Sequence, residues 1–245
     1  TIYIDGCVTS IGSYAFELCA NLKSIRIPQT ISFIESYAFY KCSNLESIII
    51  LSNVTSIGNS AFFNCSNLET VIYAGISNPL GGDSIFNGTK VEAILVSEEY
   101  NINTFCGFIA AKPSGECGSK LKFNIETGNL NITGEGPMYN YEYSSPPIWY
   151  YYRKFIESIN ICEGVTHIGH YSFFQLSKIE TVTILGNVTS IGTDAFEYCS
   201  SLRNITIPKS VISIENFVFS KCKSLQFIEI PESVTSIGWN TFESC

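Results

Sequence analysis

The sequence predicts a solenoid in which every coil contributes a short β-strand. Near-identical phrases such as Val54-Thr-Ser-Ile-Gly58 recur in two groups with a constant spacing of 23 residues, starting at Val8, Ile31 and Val54 and then at Val165, Val188, Val211 and Val234. A repeat of that size is too small to bury a core of its own, so successive repeats must stack on one another. We therefore expect two stacked arrays, one on each side of an interrupted central segment.

The composition is that of a chain with a packed core. Of the 245 residues, 45% are hydrophobic, yet no apolar run reaches the roughly 18 residues that a bilayer crossing needs. The formal net charge is −8 and the 14 lysines and arginines are scattered, so nucleic acid and anionic lipid are poor partners. The chain begins and ends inside a repeat, at Thr1 and Cys245, and we expect it to be a segment of a longer protein.

The strand of each repeat is indicated by the phrase Leu-x-x-Ile-x-Ile, as in Leu45, Ile48 and Ile50. Alternation of β-branched residues is typical of a short strand with one buried face. The outward residues of this strand are the candidate protein-binding surface: Ser24, Arg26, Ser47, Ile49, Thr70 and Ile72 in the first array, and Thr181, Thr183, Asn204, Thr206, Phe227 and Glu229 in the second. The alternative interpretation is ordinary solvated strand surface, but apolar groups on an open face favour a partner that covers them.

The return from one strand to the next is expected to be irregular or to contain a short helix. Two residue types recur there at fixed places: Phe16, Phe39, Phe62, Phe173, Phe196, Phe219 and Phe242, followed three residues later in most repeats by Cys19, Cys42, Cys65, Cys199, Cys222 and Cys245. We expect both to point inward, where the cysteines would be free thiols packed as small hydrophobic side chains.

No catalytic or metal-binding arrangement emerges from the repeat alignment. The chain lacks a Cys-x-x-Cys pair, and its two histidines, His167 and His170, occupy places that other repeats fill with Ser or Thr. We expect these histidines to be variable surface positions and predict no enzymatic activity, no cofactor and no metal.

The first array is predicted to span residues 1–112, with a degenerate last repeat. Val91, Ile94 and Val96 keep the spacing of the strand phrase, so a fourth repeat ends near Ser97 before the pattern fails. The second array is predicted to span residues 159–245.

Residues 113–158 form the predicted insert between the arrays. Alternating residues on both sides of Thr127-Gly128-Asn129 indicate a β-hairpin, and an aromatic run follows near Trp149. A hairpin and an aromatic turn can cover the exposed end of a solenoid, which favours a cap. The alternative is a ligand platform built from Tyr139, Tyr141, Tyr143, Trp149 and Tyr150.

One disulfide is a candidate. Cys106 and Cys117 lie outside the repeats, on either side of a loop that contains Gly and Pro, and they could pair in an oxidising compartment.

The stretch from Ile207 to Ile228, which reads I-P-x-x-V-x-x-I-x-x-x-x-F-x-x-C-x-x-L-x-x-I, resembles the repeat of the BspA-like leucine-rich repeat family. Segments of the insert, at residues 114–118, 130–136 and 147–149, are similar to a sequence that often precedes repeat blocks in that family. The resemblance implies a leucine-rich repeat solenoid, with two arrays separated by a β-hairpin and aromatic cap segment. The resemblance also implies that the chain belongs to a surface antigen, because the family is known for surface antigens of bacteria and parasitic protists. Several of these antigens are implicated in adhesion to host cells and matrix.

The leading functional hypothesis is a binding module that engages a host or matrix protein through its strand face. The resemblance implies a cell-surface or secreted location, with targeting and anchoring signals outside this segment. The alternative is a structural spacer that displays other domains and has no binding role of its own.

Overall fold

The computed structural model describes residues 2–4, 7–51 and 54–245 and divides into two compact units, residues 1–112 and residues 113–245. Both units are solenoids of stacked coils with parallel strands, as the sequence predicts. The insert, residues 113–158, lies in the same compact unit as the second array.

The described residues of the first unit form short strands, here β1 (Ile2–Tyr3), β2 (Ser10–Ile11), β3 (Ser24–Ile27), β4 (Phe33–Ile34), β5 (Ser47–Ile50), β6 (Ser56–Ile57), β7 (Thr70–Tyr73), β8 (Leu80–Gly81), β9 (Ala93–Val96), β10 (Thr104–Phe105) and β11 (Phe108–Ala111). They make two sheets, β1-β3-β5-β7-β9-β11-β10 and β2-β4-β6-β8. Equivalent residues pair in parallel from coil to coil, as Ile25 with Ile48, and Ile48 with Val71.

The second sheet is a feature that the repeat pattern did not reveal. The Val-Thr-Ser-Ile phrase itself forms a two-residue strand, with Ser56 outside and Ile57 buried. The glycine that follows is required by close packing, because a Cβ atom at Gly58 would lie 2.4 Å from the backbone nitrogen of Ser36. The rest of each return consists of turns and contains no helix in the described repeats.

The core of the first unit is organised around a column of phenylalanines. The ring centroids of Phe16, Phe39, Phe62 and Phe86 lie 4.9, 5.0 and 5.3 Å apart in near-parallel stacks. Phe108 then packs edge-on against Phe86 at 5.2 Å and ends the column. The antiparallel pair β10 and β11 closes this end of the sheet.

Two residues in each turn segment adopt a left-handed backbone conformation. They stand six and ten places after the start of the phrase, for example Tyr37 (φ 61°) and Lys41 (φ 58°), and the same two places recur in the second unit at Phe217 (φ 56°) and Lys221 (φ 61°). Backbone amides between them donate to the next coil, as Phe39 N does to Ala61 O at 2.7 Å. Backbone hydrogen bonds therefore connect the turns of successive coils, as they connect the strands.

The described residues of the second unit form β12 (Ser114–Gly118), β13 (Leu121–Glu126), β14 (Asn129–Gly134), β15 (Gly136–Pro137), a 3-10 helix (Ile148–Tyr152), β16 (Ser158–Ile161), β17 (Val165–Ile168), β18 (Thr181–Ile184), β19 (Ser190–Ile191), β20 (Asn204–Ile205), β21 (Ser213–Ile214) and β22 (Ser236–Ile237). One sheet has the order β12-β13-β14-β16-β18-β20 and the other β15-β17-β19-β21-β22. The predicted hairpin is β13 and β14, which are antiparallel.

The insert supplies the first coil of the second solenoid. Strand β14 pairs in parallel with β16 and places Leu130 beside Ile159, with both side chains fully buried. Trp149 takes the place of the column phenylalanine: its ring lies 6.1 Å from that of Phe173, and its indole N–H donates to Ser172 O at 2.6 Å. The column continues through Phe196, Phe219 and Phe242.

Candidate functional site

The strand face of the first unit combines a row of hydroxyl side chains with a row of two isoleucines and an arginine. Sheet pairing aligns Ser24, Ser47 and Thr70 in one row, and Arg26, Ile49 and Ile72 in the next. Arg26 is exposed, while Ile49 and Ile72 are half-buried. Two isoleucines and an arginine on consecutive coils therefore form one continuous outward strip.

The strand face of the second unit has a different chemistry. Its rows contain the predicted Thr181, Thr183, Asn204 and Thr206, all exposed and uncharged. Phe227, which is 69% exposed and forms a β-bridge with Asn204, extends these rows, and the exposed Glu229 follows two residues later. All of the predicted outward residues are exposed or half-buried in the structure, so their orientation agrees with the alternation of the strand phrase.

Part of this second face comes from the insert, which the repeat pattern did not predict. Asn129, Asn131, Ser158 and Asn160 continue the two rows through β14 and β16. Asn160 Nδ2 donates to Asn131 Oδ1 at 3.0 Å, and Ser158 Oγ donates to Asn129 Oδ1. Alternation of Asn with the buried Leu130 and Ile132 was the available signal, since it matches the pattern of a repeat strand.

The inward cysteines form a second regular column, and their role is more specific than that of small hydrophobic side chains. Five of these six thiols donate to the carbonyl of the phenylalanine in the preceding coil; examples are Cys42 to Phe16 at 2.9 Å and Cys222 to Phe196 at 3.2 Å. Burial raises the pKa of Cys222 to about 12. These thiols are therefore fixed structural donors, and at Cys222 the raised pKa disfavours the nucleophilic thiolate.

Cys106 and Cys117 are both free thiols in the structure, so the candidate disulfide is not formed here. Cys106, in the first unit, is half-buried with Sγ 3.8 Å from Pro79 O, and burial raises its pKa to about 11. Cys117 is fully buried in the core of the second unit, and burial raises its pKa to about 12. Their pairing in an oxidising compartment stays a prediction.

The two histidines connect the insert to the repeats. His167 is half-buried, with Nδ1 2.7 Å from Ser190 Oγ and Nε2 3.2 Å from Asn140 Oδ1. Asn140 Oδ1 also accepts from the backbone N–H of His170, whose Nε2 lies 3.1 Å from Glu215 Oε2. Burial, opposed in part by Glu215, lowers the pKa of His167. These positions are thus more than variable surface, because they hold the insert against two coils.

The contact to His170 belongs to a recurring set of side-chain caps. In each cap, a side chain from an adjacent coil accepts a hydrogen bond from an otherwise unpaired backbone N–H, which always stands five places after the start of the phrase. The acceptor and donor residues are Glu35 and Ser13, Asn59 and Asp83, Asn140 and His170, Glu215 and Thr193, and Asn216 and Trp239. Capping of this kind satisfies a backbone donor at a turn.

A cluster of carboxyl groups lies in the turns of the second unit. Asp194 and Glu197 are almost fully buried, and Glu197 is paired with Lys221 at 3.0 Å. Burial raises the pKa of Asp194, and a hydrogen bond from Tyr171 acts in the opposite direction. Lys221 also lies over the Tyr198 ring at 4.2 Å. Asp194 and Glu197 are thus held by a hydrogen bond and an ion pair to neighbouring side chains, which is typical of a structural role.

The described residues contain neither a metal-binding cluster nor a membrane-spanning helix. Within residues 2–4, 7–51 and 54–245, no His, Cys, Asp and Glu side chains are grouped in threes or more so as to hold a metal ion. None of the helices among those residues has the length and apolar character to cross a membrane.

Comparison with known proteins identifies the repeats. The family described as BspA type leucine rich repeat region matches in six copies over residues 1–107 and 148–245. No curated protein matches the chain.

Several solved structures are similar to the chain. A leucine rich cell surface protein from Faecalibacterium prausnitzii is 20% identical with a TM-score of 0.43, and the match covers 97% of this chain and 81% of that one. A leucine-rich repeat protein from Bacteroides ovatus is 22% identical with a TM-score of 0.39, covering 97% and 80%. The pneumococcal vaccine antigen PcpA is 19% identical with a TM-score of 0.35, covering 94% of this chain and 64% of that one.

Proposed function

Because the chain belongs to the BspA-type leucine-rich repeat family, we propose that it is a cell-surface or secreted module that binds a host or matrix protein through its strand face. The proposed contacts are the outward strand residues of the first unit: Ser24, Arg26, Ser47, Ile49, Thr70 and Ile72. The strip on this face includes Arg26, and arginine is among the side chains that most often anchor protein interfaces.

The observation that supports this proposal is the alignment of Arg26, Ile49 and Ile72 on consecutive coils. Protein interfaces are centred on a few apolar, aromatic or arginine side chains, and a polar rim surrounds them. The row of Ser24, Ser47 and Thr70 stands beside the strip in the position of such a rim. Half-exposed isoleucines on an open sheet also favour a partner that covers them.

The experiment is solid-phase binding of the purified chain to immobilised fibronectin, laminin and collagen and to cultured epithelial cells. The double variant Ile49→Arg/Ile72→Arg places charge on the strip while leaving the inward residues of β5 and β7 in place. We expect it to reduce binding at least tenfold with an unchanged circular dichroism spectrum.

The matched control is Val8→Arg/Leu18→Arg, which makes the same kind of change at two exposed apolar positions of the same unit, away from the strand face. It should bind as the original chain does. Loss of binding in the control together with its retention in the strand-face variant would place the site elsewhere. Absence of binding to every one of these surfaces would favour the spacer.

A further inference from the structure

We propose that the strand face of the second unit binds an uncharged polysaccharide. The face is defined by two rows of outward side chains, Asn129, Ser158, Thr181 and Asn204 in one row and Asn131, Asn160 and Thr183 in the other, which we call the amide–hydroxyl face. The proposal is independent of the protein-binding function, because it concerns a different unit and different residues.

The rows are regular and consist of only three residue types. Every member is Asn, Ser or Thr, so each side chain can both donate and accept a hydrogen bond. Neighbouring strands of a sheet lie about 4.8 Å apart, and side chains on one face of a strand are separated by roughly 7 Å. The face is therefore a grid of neutral donors and acceptors, which matches the repeated hydroxyl groups of a sugar chain.

Part of the grid is already oriented. Asn160 Nδ2 donates to Asn131 Oδ1 at 3.0 Å, and Ser158 Oγ donates to Asn129 Oδ1. An amide has two donor hydrogens and an acceptor oxygen, so the single bond between Asn131 and Asn160 leaves most of their capacity for a ligand. The Asn129 amide also donates to Glu126 O at 3.2 Å, which holds it in place. Thr181 and Thr183 are the exposed neighbours in the next coil. Side chains ordered before binding lose less conformational entropy when a ligand arrives.

The charge distribution favours an uncharged ligand. Neither row contains Lys, Arg, Asp or Glu. The exposed charged residues next to the rows are mostly acidic: Glu126, Glu157, Glu180 and Glu229, with Lys122 and Arg203 as the basic ones. A chain of net charge −8 with carboxylates at both ends of this face repels sulfated or uronic acid polymers.

The same face is poorly suited to a protein. Protein interfaces derive most of their affinity from apolar, aromatic or arginine anchors, which the two rows lack but which the first unit has in Arg26, Ile49 and Ile72. Phe227 lies next to the rows, is 69% exposed and forms a β-bridge with Asn204. An exposed ring beside a grid of polar groups can pack against the apolar face of a sugar.

The test is retardation of the whole chain in native gels cast with mannan, dextran or laminarin, with heparin and alginate as charged comparisons. We expect retardation by at least one neutral polymer and by neither charged one. Thr181→Val/Thr183→Val removes two hydroxyls but keeps the shape and strand preference of the side chains, so we expect it to fold and to bind about tenfold more weakly.

The matched control is Thr166→Val/Thr189→Val, which alters two exposed threonines of the same unit near its other sheet. It should be retarded as the original chain is. The proposal is overturned if none of the three neutral polymers retards the chain, if heparin or alginate does so more strongly, or if both double variants behave alike. The binding of Thr181→Val/Thr183→Val to matrix proteins should be unchanged, which separates this result from failure of the proposed function.

Discussion

Replacing Trp149 by alanine is expected to destabilise the second unit by about 3 to 5 kcal/mol. The side chain is fully buried, and its ring lies 4.8 Å from that of Phe123, 5.5 Å from that of Tyr141 and 6.1 Å from that of Phe173. Large-to-small replacements of buried aromatic residues cost about that much, because the contacts of the ring are lost and a cavity remains.

The milder variant Trp149→Phe separates packing from hydrogen bonding. Phenylalanine keeps most of the buried ring but removes the N–H that donates to Ser172 O at 2.6 Å. A buried carbonyl without its donor costs about 1 to 3 kcal/mol. Both variants should therefore have a lower free energy of unfolding than the original chain, and Trp149→Ala should have the lowest because it loses the most contacts.

Urea denaturation followed by circular dichroism measures both free energies. Trp239→Phe is the control, because Trp239 is 81% exposed and its replacement should change stability by less than about 0.5 kcal/mol. This control also leaves Trp149 as the single tryptophan, whose emission should be blue-shifted until the second unit unfolds. A loss below about 1 kcal/mol for Trp149→Ala, or a Trp149→Phe variant as stable as the original chain, would refute its role as the end of the column.

Other perturbations test the remaining elements. Cys222→Ala should destabilise the protein by about 1 to 3 kcal/mol, because Phe196 O keeps the backbone N–H of Cys199 but loses the thiol donor, and because a small cavity remains. Cys222→Ser keeps a donor and should be closer to the original chain; equal stability of all three in urea would contradict the hydrogen-bond role. Burial holds the pKa of His167 below its usual 6.5, so the unfolded chain takes up a proton more readily than the folded chain. The free energy of unfolding should therefore fall as the pH falls below about 6.5, whereas the titration of His167 does not change it above that pH. In His167→Gln the fall in melting temperature between about pH 7 and 5.5 should be smaller, and an identical fall would exclude this residue as a source. A fragment of residues 114–245 should unfold cooperatively, whereas one of residues 165–245 lacks β14, β16 and Trp149 and should aggregate; equal melting curves would contradict the cap.

The strand phrase, the phenylalanine column and the hairpin could be predicted because each depends on a spacing visible along the chain. The second sheet could not, since strands of two residues such as Ser56–Ile57 are too short to show alternation. The coil formed by the insert was missed because Asn129 and Ser158 are 29 residues apart, which breaks the constant period. Likewise, the cap from Asn140 to His170 joins residues 30 apart, and only the folded chain brings them together.

The left-handed turn residues have a consequence for how far the stability of the repeats can be raised. Nearly all of them carry a side chain, and each such residue costs about 1 kcal/mol that packing elsewhere must offset. The fourth coil already has glycine at one of these places, Gly88 (φ 76°), whereas the first has Leu18 (φ 56°), which is 62% exposed. Glycine at exposed members of the set relieves strain without removing core contacts. A more heat-resistant version of the solenoid is therefore accessible through its turns, with the strand faces and the buried columns left as they are.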